Sequence, residues 1–323
     1  MSTAASPNAA PAGFRHEALL YTGDESFLSG TVPFIEDGVI SGESVLVVVD
    51  ARKIDMLRAE IGQKADAVAF ADMNQIGLNP ARIIPTWREF VDENSLVHRP
   101  MRGIGEPIWS GRTDAELAEC HHHEALLNVA FVAAEHFWLM CPYNTTTLGS
   151  EVIERMAFNH PLLFDGAEAS DSPAFDFDRV LSDLFLDPLP EPQRGPTEFV
   201  FSAQSLGELR RWVAHRALAA GLNAPRVDDL VLGVNEIATN SVKHGGGHGR
   251  LRIWEQEGAV VCEIFDDGHI QQPLAGRELP GRDQDRGRGL WLANQVCDLV
   301  QIRSSPDGTT VRLHQTNRAS AGT

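Results

Sequence analysis

Three short clusters in the last third of the chain carry residue types able to handle a phosphorylated ligand. The first is Asn235-Glu236-Ile237-Ala238-Thr239-Asn240-Ser241-Val242-Lys243-His244-Gly245. Glu236, Asn240 and His244 recur every four residues, so a helix lines them on one stripe while Leu230, Val231, Val234 and Ala238 take the far side. A carboxylate can orient or deprotonate a hydroxyl, a carboxamide oxygen can hold Mg²⁺, and Lys243 and His244 can meet phosphate. A plain solvated helix face has the same pattern. The second cluster, Glu263-Ile264-Phe265-Asp266-Asp267-Gly268, puts carboxylates and a glycine at the end of an apolar strand. Asp266 there can accept a hydrogen bond from an exocyclic amine such as adenine's, with Gly268 allowing close approach; an ordinary Asp-Gly turn reads the same way. The third, Arg286-Gly287-Arg288-Gly289-Leu290-Trp291, precedes an amphipathic run through Ala293, Val296 and Cys297. A glycine-rich turn opening a helix offers backbone N–H groups and the positive dipole end to phosphate, although Gly-Arg-Gly is equally a loop.

A fourth cluster lies far upstream: Glu119-Cys120-His121-His122-His123-Glu124. Consecutive histidines point in different directions on a helix, so at most Cys120 with His123 or Glu124 can share a metal or small ligand. The alternative is a capped helix with polar residues at a sheet edge.

The elements that must position these residues follow from the pattern of apolar runs. Strands are expected at His16–Tyr21, Ser44–Asp50, Ala67–Ala71, Gly103–Trp109 and Phe137–Pro142, with helices beginning at Asp24, Ala51, Pro80 and Thr113. Strand-helix alternation implies an α/β fold with a parallel sheet covered on both faces. Lys53 and Lys64 are the only lysines in this part and neither sits in GxxxxGK[ST], which excludes a P-loop ATPase. A Pro-rich stretch ending in Asp187-Pro-Leu-Pro-Glu-Pro-Gln-Arg-Gly-Pro196 closes a linker expected over 165–196. Beyond it come a strand (Glu198–Ser202), two helices (Leu206–Ala220 and Arg226–His244), two strands (Arg250–Glu255 and Val260–Asp266), a loop, a helix and two final strands. Helices preceding a mainly antiparallel set of strands indicate an α+β sandwich.

Charge narrows the partners. The net charge of -18 is carried by the first part: residues 195–323 hold 15 acidic and 14 basic side chains, leaving 30 and 13 in residues 1–194. Neither part has the clustered Lys and Arg that phosphate-backbone binding needs, so direct nucleic-acid contact is not expected. Four scattered cysteines without paired spacing encode neither a disulfide framework nor a zinc knuckle. The longest wholly aliphatic stretch, Val45–Val49, is far short of the roughly 20 residues that span a bilayer, and no leader pattern opens the chain, so a cytoplasmic protein without membrane contact is expected. Residues 1–13 and 315–323 read as loose tails.

Taken in order, and with Gly308-Thr309-Thr310 near the end, the three downstream clusters resemble the GHKL ATPase superfamily, and within it the anti-sigma-factor serine kinases. The resemblance runs from Thr197 to Leu313 in an expected domain of residues 197–314. It implies ATP and Mg²⁺ as cofactors. Glu236 and Asn240 match the N box as general base and Mg²⁺ ligand, with Lys243 and His244 following on the same helix. Asp266 and Gly268 match the adenine-reading box; Gly287, Arg288, Gly289 and Leu290 the phosphate-contacting box; and Thr309 or Thr310 the terminal Gly-Thr. One departure is plain: Asp-x-Gly-x-Gly is here Asp266-Asp-Gly-His-Ile270, without the second glycine. Residues 14–164, including Arg15-His-Glu-Ala-Leu-Leu-Tyr21, Cys120 with His123-Glu124, and Cys141-Pro142-Tyr143, are similar to the MEDS sensory domain, a P-loop-free relative of the RecA-type fold paired with such kinase domains in actinobacteria. The resemblances imply a regulator that sequesters a sigma factor and phosphorylates Ser or Thr of an anti-anti-sigma (STAS-type) protein, with a small-molecule signal at the first domain and a homodimer as one open state. A sensor histidine kinase is the alternative, but its phosphoacceptor helix has no counterpart in the proline-rich linker. A nucleotide-binding regulator without kinase activity is the other.

Overall fold

The apolar runs of the first half become β1 (Phe14–Tyr21), β2 (Ser44–Val49), β3 (Val68–Asp72), β4 (Met101–Gly105) and β5 (Phe137–Asn144), joined by two short strands, β6 (Leu162–Phe164) and β7 (Ala169–Asp171). They form one sheet in the order β3-β2-β4-β5-β1-β6-β7. All pairs are parallel except β6 with β7, so the sheet is mixed at one edge. The computed structural model describes residues 13–166, 168–179, 186–193, 195–281 and 287–317. Most of the expected tails, parts of the expected linker, and Arg286 therefore lie outside the described residues. The chain divides into two compact units between residues 180 and 181.

In the first unit the connecting helices are α1 (Asp24–Ile40), α2 (Ala51–Ile61), α3 (Met73–Ile76), α4 (Ile83–Ser95), α5 (Asp114–Ala130) and α6 (Ser150–Asn159). Their starts are written in the sequence. Asp50 caps α2 by accepting from the Lys53 N–H at 3.0 Å, and Thr113 with Glu116 forms a capping box at α5. Phe27, Phe34 and Ile35 of α1 and Leu57 of α2 pack on Val45, Val47 and Val49 of β2 and on Leu19 and Met140 of the central strands. β5 is buried along nearly its whole length, which is why its sequence is continuously apolar rather than alternating.

Two expectations shift here. The strand expected over Gly103–Trp109 is Met101–Gly105 instead: Pro107 has no N–H with which to continue the ladder, and the Glu106 side chain accepts hydrogen bonds from Tyr21 and Lys53. The linker expected over 165–196 contains β7, and its later part lies on the second unit's sheet: Arg303 donates to the Asp187 carbonyl at 2.6 Å and Arg312 to that of Pro190 at 2.9 Å.

The second unit consists of β8 (Thr197–Ser202), α7 (Leu206–Ala219), α8 (Ala224–His244), β9 (His248–Gln256), β10 (Ala259–Asp266), α9 (Arg288–Val296), β11 (Leu299–Ser305) and β12 (Gly308–Gln315). Its sheet is antiparallel throughout, in the order β11-β12-β10-β9-β8. The core joins Val213 of α7, Leu230, Val234 and Ile237 of α8 and Ala293 of α9 to Leu251, Cys262, Ile264 and Leu313 of the sheet. Each such aliphatic side chain removed from water contributes roughly 1.5–3 kcal/mol. β12 reaches Gln315, which is fully buried, so the sheet extends one residue into the expected C-terminal tail. Among the described residues no helix is long and apolar enough to cross a membrane.

Candidate functional site

Helix α8 is the platform of the site. Asn223 caps it by accepting from the Arg226 N–H at 3.1 Å, Pro225 occupies its first turn, and it ends at Gly245. Its apolar stripe faces the sheet, and the opposite stripe turns Glu236, Asn240, Lys243 and His244 into a cleft of about 400 Å³. The same cleft is lined by Asp266 and Gly268 from the end of β10, by Gly287, Arg288, Gly289 and Leu290 at the start of α9, and by Thr309 of β12. The three clusters and Thr309, far apart in the chain, thus face one space. Thr310 is outside it: on β12 its neighbours in register are Phe265 and Arg303, so alternation turns it away where Thr309 turns in.

Asp266 is fixed from two sides. The Ser241 hydroxyl donates to its Oδ2 at 2.6 Å, and the Gly268 N–H donates to its Oδ1 at 2.8 Å. Each carboxylate oxygen keeps a lone pair for a ligand. The chain after Asp266 is held by a relay of hydroxyls. Thr309 Oγ1 donates to the Gly268 carbonyl at 2.8 Å, so Ser304, 2.7 Å away, donates to Thr309, and Ser304 in turn accepts from the Ile270 N–H at 2.8 Å. Ile270 stands where the family pattern has its second glycine. Among the described residues the only non-glycine positive φ values are at His98, His136 and Glu257, so Ile270 carries no such strain, and its side chain packs on the domain core.

Two glycines of the third cluster have geometric roles, one in the backbone and one in how closely α9 approaches α8. Gly287, the residue before α9, has φ +92°, a region L side chains rarely adopt. Gly289 lies against α8: a Cβ there would stand 2.9 Å from Asn240 Nδ2 and 3.2 Å from Glu236 Oε2. No side-chain hydrogen bond caps α9, and its N-terminal turn lines the cleft together with Glu236 and Asn240 of α8. Ser241 and Ser304 were not singled out from the sequence. Ser241 leaves a trace, a polar residue continuing the buried stripe of Val234, Ile237 and Ala238; Ser304 leaves none.

In the first unit, the group of potential metal ligands found among the described residues includes Glu124 but neither Cys120 nor His123 of the three expected. Glu124 instead meets His16 of β1, Cys141 of β5 and His160 after α6, their nitrogen, sulfur and oxygen atoms all within 4.8 Å of one another. Cys120, one turn before Glu124, donates to the Pro107 carbonyl at 3.3 Å, and burial pushes its thiol up to about 12. His123 precedes Glu124 by one position and so is rotated by about 100° around the helix from it. Burial, and His160 beside it, lower the pKa of His16, while burial pushes the Cys141 thiol well up. A separate cleft of about 360 Å³ opens beyond the ends of β2 and β4, lined by Asp50, Lys53, Glu106 and Trp109 among others. Burial works against the Lys53 charge, but the Glu106 carboxylate, 2.5 Å away, outweighs it and raises the Lys53 pKa.

Comparison with known proteins matches both units. Residues 15–161 match the MEDS family, the methanogen/methylotroph, DcmR sensory domain, and residues 199–314 match the histidine kinase-like ATPase domain. No curated protein matches the chain. Similar solved structures include the RsbU and RsbW domains of Rv1364c from Mycobacterium tuberculosis, 16% identical over 38% of this chain and 32% of that one, with a TM-score of 0.29. Another is the Acinetobacter baumannii histidine kinase AdeS, 11% identical over 39% of this chain and 71% of that one, with a TM-score of 0.23. The overlap spans about a third of the first of these proteins.

Proposed function

The chain joins a MEDS sensory domain to a histidine kinase-like ATPase domain, and on that premise we propose that it is an anti-sigma regulator. In this reading residues 197–314 bind ATP with Mg²⁺, sequester a sigma factor and phosphorylate a Ser or Thr of an anti-anti-sigma protein, while residues 14–164 respond to a small-molecule signal. The observation that carries the reading is the convergence of Glu236, Asn240, Asp266, Gly268, Gly287, Gly289 and Thr309 on one cleft. Its volume of about 400 Å³ falls in the range of small-ligand sites.

The residues fit the ligand. Asp266 would accept from the adenine amine with the lone pairs that Ser241 and Gly268 leave, and Thr309, through Gly268, would keep that segment in place. The N-terminal turn of α9 would receive phosphate oxygens, with Lys243 and His244 adding positive charge. Asn240 would hold Mg²⁺ through its carboxamide oxygen, and the ion when bound would neutralise charge on the phosphates. Glu236, one turn before Asn240, would take the proton of the incoming hydroxyl. The missing Cβ of Gly289 keeps Glu236 and Asn240 within reach of that turn.

Titration calorimetry of the full chain with Mg-ATP tests the binding step. Saturable binding is expected for the wild type, with affinity lowered about tenfold by Asn240→Ala when Mg²⁺ is present, the loss of roughly one charge-assisted contact. Absence of binding by the wild type would overturn the proposal.

A further inference from the structure

His16, Glu124, Cys141 and His160 come from two strands, a helix and the residue that follows another helix, and are each no more than 2% exposed. His16 and Cys141 sit on neighbouring parallel strands, where the register pairs Ala18 with Cys141 and so puts both side chains on the same face of the sheet. Glu124 of α5 and His160 after α6 meet them over that face. His16 Nε2 is 3.2 Å and His160 Nε2 3.3 Å from Glu124 Oε2, and Cys141 Sγ is 3.4 Å from His16 Nε2. Ligands bound tetrahedrally to one zinc ion at ~2.0–2.3 Å stand roughly 3.3–3.7 Å apart, so these three edges are already close to those of a coordination tetrahedron.

The hydrogen bonds around the cluster leave its centre electron-rich. Asn128 Nδ2 donates to the Asn159 carbonyl at 2.8 Å, which orients the amide so that Oδ1 accepts from His16 Nδ1 at 3.1 Å. His160 Nδ1 donates to the Met156 carbonyl at 2.9 Å. When both rings are neutral, these bonds put the hydrogen on Nδ1 and both Nε2 lone pairs point at the Glu124 carboxylate. Glu124 Oε1 is buried with no hydrogen-bond partner. The inward-facing atoms of the four side chains then share one proton, that of the Cys141 thiol. Such a gathering of acceptors in a core closed to water calls for a cation.

We propose that His16, Glu124, Cys141 and His160 bind a divalent transition metal, zinc foremost, in the core of the sensory domain. Two imidazoles and a thiolate beside a single carboxylate make a donor set that suits Zn²⁺ and not Mg²⁺ or Ca²⁺. Binding displaces the Cys141 thiol proton to solvent, and the 2+ ion with one thiolate and one carboxylate gives a site of zero net charge, which a dry core tolerates. Asn128 and the Met156 carbonyl are the outer partners that fix the two rings. With four protein ligands the site is closed, so the ion ties α5 and the end of α6 to β1 and β5 rather than activating a water.

The test uses the full chain, expressed with added zinc and freed of any histidine tag. Elemental analysis is expected to give about one zinc per chain. Stripping with a chelator should lower the melting temperature and added Zn²⁺ restore it. Co²⁺ in place of zinc should show the intense visible absorption of a tetrahedral ion and a thiolate-to-cobalt band. Cys141→Ser should lose that band, and Cys120→Ser should keep both the band and the metal. If the Cys141 variant does not fold, the stripped wild type still decides. No metal after expression together with no rise in melting temperature on adding Zn²⁺ or Co²⁺ would overturn the proposal, as would a cobalt spectrum without a thiolate band or one abolished by Cys120→Ser.

Discussion

Ser241 and Gly268 hold the Asp266 carboxylate in one orientation without a ligand's help, which makes the Asp266 end of the cleft preorganised. Ser241→Ala removes the shorter of the two bonds. We expect a loss of about 1 kcal/mol in stability, typical of one hydrogen bond to a charged but only partly buried group, together with weaker ATP binding, checked by urea unfolding and calorimetry. Gly289→Ala separates the two effects. Alanine favours a helix over glycine by up to about 1 kcal/mol, and the nearest atoms are ends of side chains that can shift, so stability should hold or rise. Displacing Asn240 and Glu236 should nonetheless weaken Mg-ATP binding about tenfold or more; unchanged affinity would show that Gly289 is not a close-approach position. At this scale Glu236 and Asn240 were legible because i, i+4 spacing on a helix is a local rule. The buried cluster of the first unit was not. Cys120-His-His-His-Glu124 drew attention by density, but ligands in a packed core are assembled across strands, and His16 and Cys141 announce themselves only as polar or reactive residues inside apolar runs. His160, beside a proline at a helix end, gives no signal.

The second unit's sheet carries its own charged row. Glu263 of β10 lies in register between Arg252 of β9 and Arg312 of β12, with both guanidinium Nε atoms 2.9 Å from its oxygens. This row faces away from the helices, whose side of β10 is Cys262 and Ile264. Glu263→Ala would leave two cations facing one another with Glu263's place empty, and a loss of about 3 kcal/mol is expected from breaking a largely buried pair; denaturant unfolding measures it. A change under 1 kcal/mol would mean that the arginines' bonds to Glu191 and the Pro190 carbonyl suffice. Element type and order were legible in both units, since the apolar runs and caps are local. The short strands β6 and β7 were not: three-residue strands lack a period to detect, and β7 exists because β6 offers it an edge. The linker's docking on Arg303 and Arg312 is a long-range event that proline content does not foretell.

At the scale of the whole chain, the four cysteines are buried, so the native protein should react slowly with Ellman's reagent and the denatured, metal-free protein should yield four thiols. Rapid reaction of more than one thiol in the native state would contradict the packing of both cores. Charge is divided unevenly between the two parts: the excess of acid lies in residues 1–194, and residues 195–323 are near neutral. The central claim is that the cleft on α8 performs phosphoryl transfer with Glu236 as base. Radiolabelled ATP, the full chain and a candidate anti-anti-sigma protein test it, comparing wild type with Glu236→Gln, which keeps size and hydrogen bonding but cannot take a proton. The account predicts label on a Ser or Thr of the antagonist, cut about 10² to 10⁴-fold in the variant while ATP binding is retained. Undiminished transfer by the Gln variant, or label on a histidine of this chain, would contradict it.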